Sequence, residues 1–181
     1  MLLAVDVHYS DNGATAAGVA FDGWRSSTAS RLWVLALTEP PAPYKPGKFY
    51  QRELPYLCKI VGRGLSDVSI ETIIIDGHVW LTDDQPGLGM HLYEHLERAV
   101  PVVGIAKSAY HRGTATPVQR GRSRRPLHVT SAGLEQVEAA RLVAEMHGAD
   151  RLPTIVRLVD SLARHGDTPE RAEPGGSRLG C

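Results

Sequence analysis

Two aspartates sit where an acid is expensive. Asp6 interrupts the apolar run LLAVDVH, and Asp76 ends the β-branched run IETIIID immediately before Gly77. A carboxylate leaving such surroundings needs a compensating partner, because burying it bare costs several kcal/mol or drives it to its neutral form. A divalent cation supplies that compensation. Glu53 follows a loop carrying four prolines and stands at the head of a helical segment, where it can turn back toward a sheet edge as a third oxygen ligand. Oxygen ligands without cysteine suit magnesium, or manganese in its place, rather than zinc. The same residues have a plainer reading, in which Asp6 and Asp76 accept hydrogen bonds from loops and Glu53 is an exposed acid favoured by a helix dipole. Spacing does not choose between the two.

The elements that must carry these acids are legible from hydrophobic period. Residues 2 to 8, 14 to 21 and 30 to 37 are apolar runs separated by short turn-like segments, which predicts three strands in an antiparallel meander. PPAPYKPG at 40 to 47 must be a rigid loop. Leu54, Leu57, Cys58 and Val61 have helical spacing, and Pro55 places the start of that helix close to itself. A strand at 70 to 76, a helix at 88 to 99 and a strand at 100 to 106 follow. A small hairpin around the turn RGRSRR and two amphipathic helices at 134 to 147 and 153 to 164 complete the chain. This order predicts an α/β ribonuclease H-like fold with a mixed five-stranded central sheet, three antiparallel strands then two parallel, flanked by helices and carrying a small extra hairpin. In that arrangement strands one and four are neighbours, and the reversal of connection between them marks a ligand site.

Composition sets the outer bounds. The 181 residues, 43% of them hydrophobic, suit one domain over 1–165, with a Gly-, Pro- and charge-rich tail at 166–181 expected to be disordered. Twenty basic and twenty acidic residues cancel, so net charge alone does not point to nucleic acid. Two cysteines are too few for a disulfide framework, and no apolar run spans a bilayer; the expected setting is the reducing cytoplasm, away from membranes. Arg120, Arg122, Arg124 and Arg125 form one local basic cluster, either a grip on phosphates or a solvated turn.

Several ordered pieces resemble the endonuclease V family, which nicks strands near deaminated purines. AVDVHY at 4 to 9 is similar to its first metal motif, PYKPGKFYQRELP at 43 to 55 to its wedge loop and metal-binding glutamate, and IIIDGH at 73 to 78 to its second aspartate. GMHL at 89 to 92, VVGIAKS at 102 to 108 and RLPTIVRLVDSLAR at 151 to 164 follow in the family's order. The resemblance implies Asp6, Glu53 and Asp76 as magnesium ligands and Lys107 as a catalytic partner of the scissile phosphate. It implies Tyr44, between Pro43 and Pro46, as a wedge filling the gap left by an extruded base. Gly47, Gly77 and Gly104 would then allow close approach of that base, and His91 would face the site.

The implied activity is metal-dependent nicking of DNA or RNA 3′ to deoxyinosine or inosine, one nucleotide beyond the base's own linkage, in repair or processing. Three departures stand out. Thr82 and Gly133 occupy places where the family has histidines, with Glu135 nearby as a possible substitute for the second, and the first strand opens almost at Met1, leaving no counterpart to the family's N-terminal helical segment. The alternative is a family-like protein that binds nucleic acid without cutting it.

Overall fold

The computed structural model describes residues 1–10, 13–37 and 50–166. In chain order the elements are β1 (Leu2–Ser10), β2 (Gly13–Phe21), β3 (Arg31–Leu37), α1 (Tyr50–Asp67), β4 (Thr72–Asp76), β5 (Trp80–Thr82), β6 (Gln85–Pro86), α2 (Leu88–His95), β7 (Val102–Ala106), β8 (Thr116–Val118), β9 (Leu127–Ala132), α3 (Gln136–Glu145) and α4 (Thr154–His165). Eleven of the thirteen follow from the hydrophobic pattern. The short β5–β6 ribbon does not, since a two-residue strand has no period to read.

The main sheet runs β3-β2-β1-β4-β7-β9-β8. The first three strands are antiparallel, and β1, β4 and β7 are parallel to one another. This is the ribonuclease H-like arrangement with two more strands than expected. The hairpin β8–β9 does not stand apart: β9 pairs antiparallel with β7 over Val102↔Ala132 to Ala106↔His128 and extends the sheet to seven strands.

Because strand side chains alternate, each strand supplies two cores. Leu2 and Ala4 of β1, Ile74 of β4, and Val103 and Ile105 of β7 face α3 and α4. Leu3, Val5, Val7, Ile73 and Ile75 face α1 and α2. The isoleucines of β4 are buried on both sides, each contributing roughly 1.5–3 kcal/mol. Parity then carries the site: Asp6, Asp76 and Lys107 continue the rows of Ala4, Ile74 and Ile105, so all three leave the carboxyl ends of adjacent parallel strands on the α4 side.

Helix α1 corrects one expectation. It begins at Tyr50, so Pro55 lies inside it. Proline there forfeits the N–H that would bond back toward Gln51. Pro55 is exposed while Glu53, Tyr56, Leu57, Ile60 and Val61 are buried, so packing on the sheet outweighs the lost bond. Among the described residues no helix is long and apolar enough to cross a membrane.

Candidate active site

The order of strands reverses between β1 and β4, and there the two aspartates meet. The parallel register pairs Val5 with Ile75, and Asp6 and Asp76 each stand one residue further along. They line a crevice between these strands and α4, whose other walls include Val156, Val159 and Asp160. Glu53 comes from the other face of the sheet, in the first turn of α1, and is only 8% exposed.

These acids share one electrostatic field. Burial above all, then the charge of Asp76 with a smaller share from Asp160, pushes Asp6 up to about 7, although its Oδ1 accepts the Val7 N–H at 2.9 Å. Burial, then the charges of Asp6 and Asp76, pushes Glu53 up to about 8. The shortest compensation comes from Lys107, whose Nζ donates to Asp76 Oδ2 at 2.6 Å and lies 3.6 Å from Asp160 Oδ1. Burial lowers the lysine, but the Asp76 hydrogen bond and the charges of Asp76, Asp160 and Asp6 outweigh it and hold the ammonium above the usual lysine range.

Lys107 serves Asp76 and shares Asp160 with Arg164, and among the described residues no ion pair reaches Asp6 or Glu53. Hard oxygen donors at the rim of the sheet, with burial first and mutual repulsion second raising Asp6 and Glu53, are a donor set that fits a divalent metal. They are not a finished cage: among the described residues no three Asp, Glu, His or Cys side chains are gathered tightly enough to hold an ion as they stand.

Asp160 was not singled out from the sequence. Its carboxylate accepts from Arg164 Nε at 2.9 Å, and that bond first, with Lys107 assisting, holds it below the usual carboxylate range. A signal existed. Val156 and Ala163, four residues before and three after it, belong to the buried stripe of α4, so Asp160 is an acid on the border of an apolar helix face.

Other expectations fare differently. Tyr44, Pro43, Pro46 and Gly47 lie outside the described residues. Gly77 adopts φ +143° with open space where a side chain would be. Gly104 does not offer room to a base: a Cβ there would lie 2.5 Å from Gly77 O and 2.9 Å from Val79 N, so its missing side chain admits the loop after β4. His91 is stacked on Tyr50, ring centroids 3.7 Å apart at 21°, and thereby ties α2 to the start of α1. Thr82 pairs with Gln85 in the β5–β6 ribbon. Gly133, at φ +75°, leaves no space for a side chain, since a Cβ would meet Tyr93 Oη at 2.8 Å. Glu135, the candidate substitute for the second histidine, has a local role. Its carboxylate caps α3 by accepting the Glu138 N–H at 2.8 Å.

Arg120 is a correction. Rather than joining the basic surface, it is 5% exposed and donates to the carbonyls of Val143, Ala144, Met146 and Gly148 at 2.7 to 3.2 Å. It satisfies the orphan carbonyls at the end of α3. Arg120→Ala should therefore cost roughly 2–4 kcal/mol in urea unfolding. An equal midpoint for parent and variant would refute that role. Arg122, Arg124 and Arg125 remain exposed.

The family model described as Endonuclease V matches residues 1–146. The fold is similar to the crystal structure of human ENDOV at TM-score 0.73 and 22% identity, covering 91% of this chain and 83% of that one. Endonuclease V of Ciona intestinalis, solved with a 24mer DNA containing an inosine followed by a ribo-adenosine, gives TM-score 0.74 at 15% identity over 91% and 84%. The Streptomyces avermitilis Endonuclease V gives 0.66 at 24% identity over 91% and 80%. No curated protein matches the sequence.

Proposed function

The chain belongs to the endonuclease V family, and from that premise we propose that it is a divalent-metal-dependent endonuclease that nicks DNA or RNA 3′ to a deaminated purine. The observation carrying this reading is the convergence of Asp6, Glu53, Asp76 and Asp160 near the carboxyl ends of β1 and β4, with burial and mutual repulsion raising Asp6 and Glu53 and with Lys107 bonded to Asp76.

On this reading Asp6, Glu53 and Asp76 hold magnesium, or manganese in its place, and Asp160 stands in reserve on α4. The metal, when bound, offsets charge on the phosphate and lowers the pKa of a bound water. The chain's own groups do the rest. Were Asp76 to serve as a metal ligand, the Lys107 ammonium that it now accepts from would be available to a phosphate oxygen beside the scissile bond. Gly77, whose Cβ position is open, lets the loop after β4 approach a base, and Tyr44 is the proposed wedge.

The reading of a silent binder rested on the two absent histidines. Asp160 weakens it, because a fourth carboxylate already stands beside Asp76 and Lys107. Incubating labelled inosine-containing DNA and RNA with the protein in magnesium should yield a single nick that EDTA abolishes. No EDTA-sensitive product on either strand would sink the enzyme, and a gel shift that persists without cutting would favour the binder.

A further inference from the structure

Arg52 is an oriented cation beside the acids, and among the described residues no carboxylate holds it. It lies in the first turn of α1 next to Glu53, with Cζ 4.6 Å from the ring centroid of Tyr9. Tyr9 stands three residues beyond Asp6 on β1. Its hydroxyl donates to the Arg52 carbonyl at 3.3 Å, and its ring meets Tyr56 edge-on at 5.8 Å and 81°. The ring is thus pinned at its hydroxyl and by Tyr56, while a face carries the guanidinium.

An arginine placed this way is costly unless something joins it. Its Nε is buried without a partner, and among the described residues Arg52 makes no ion pair. Its charge opposes the rise of Glu53 but does not reverse it. A planar guanidinium held on a ring keeps its remaining N–H groups in a fixed plane, a geometry suited to phosphate oxygens. Lys107 approaches the acids from β7, on the far side of β4. Arg52 approaches from β1 and α1. A strand laid across the acids would meet a cation on either flank.

We propose that Arg52 binds a non-bridging oxygen of the nucleic-acid backbone on the α1 side of the acids, with Tyr9 as the positioning residue that holds the guanidinium ready. This rests on the nuclease reading for its substrate class, but it concerns phosphate, not the deaminated base.

The test is binding of fluorescent single strands, unmodified and inosine-containing, in EDTA between 50 and 200 mM salt. Parent, Arg52→Gln, Arg52→Lys and Tyr9→Leu proteins are compared, with thermal melts confirming that each is folded. Arg52→Gln should weaken both strands by about tenfold at the lowest salt, and should flatten the plot of log affinity against log salt by about 0.7, the loss of one phosphate contact on a single strand. Arg52→Lys should keep the slope and bind several-fold more weakly, since it retains the charge without the plane. Tyr9→Leu should weaken binding at an unchanged slope.

An Arg52→Gln slope equal to the parent's, or a loss confined to the inosine strand, would overturn the proposal. Parent protein that binds with steep salt dependence yet never nicks would sink the enzyme reading and leave Arg52 standing. Parent protein with no salt-dependent binding would overturn both.

Discussion

Asp76→Asn lowers magnesium-dependent nicking of an inosine-containing strand by on the order of 10³-fold, while binding of the same strand in EDTA is unchanged or tighter. The two halves of this expectation come from one position. Asp76 ends β4 next to Asp6 and raises both Asp6 and Glu53 through its charge. Asparagine keeps the shape of the side chain but removes one hard anionic oxygen from the proposed metal set, and a neutral amide is a poor substitute for it.

The same change frees Lys107 from its 2.6 Å partner and removes a negative charge from the path of a phosphate backbone. Electrostatics therefore favours binding even as chemistry is lost. Single-turnover nicking rates beside anisotropy measurements separate the two. A variant that cuts within about tenfold of the parent would remove Asp76 from the metal set.

Much of this site is legible in the sequence because burial leaves a mark on strand sequences. An acid inside LAVDVHY or at the end of IIIDGH breaks an apolar run, and strand parity fixes which face it leaves by. What escaped depends on contacts between distant segments. Asp160 belongs to the site only because α4 packs across β1 and β2 and brings it within reach of Lys107, and the rotation of a helix about its axis shows in sequence only as a stripe. Arg120 reads as one arginine among four in a turn. Its inward course is set by the end of α3, more than twenty residues later, where carbonyls need donors. The hairpin at β8–β9 was expected as a separate unit because β9 carries its own alternation of Leu127 and Val129, and nothing local reveals that β7 is its neighbour. Pro55 misdirected the start of α1, since proline preference is a local rule and the packing of Leu57 and Ile60 on the sheet is not.

Metal should change the stability of this protein in a way that grows with pH. Asp6 moves from an ordinary 3.8 to about 7 on folding, and Glu53 from 4.5 to about 8. A folded state that holds these protons more tightly than the unfolded chain gains nothing below about pH 4, where both states are protonated. As pH rises from about 4 toward 8 the unfolded chain has released them while the folded chain still retains them. Metal-free stability then falls, by about 1.4 kcal/mol per pH unit for each proton retained, and levels off once the folded groups ionise. Magnesium or manganese competes with those same protons, so its affinity rises over the same window and its stabilisation follows ligand concentration over dissociation constant. Thermal melts with and without manganese should thus differ little at pH 5 and most above pH 8. In Asp6→Asn/Glu53→Gln protein the metal-free decline with pH should shrink and the manganese increment should vanish together, because both arise from the same two carboxyls. A manganese increment that is equal at pH 5 and pH 8.5, or that survives the double substitution, would mean that the ion binds elsewhere and that these acids are buried for another reason.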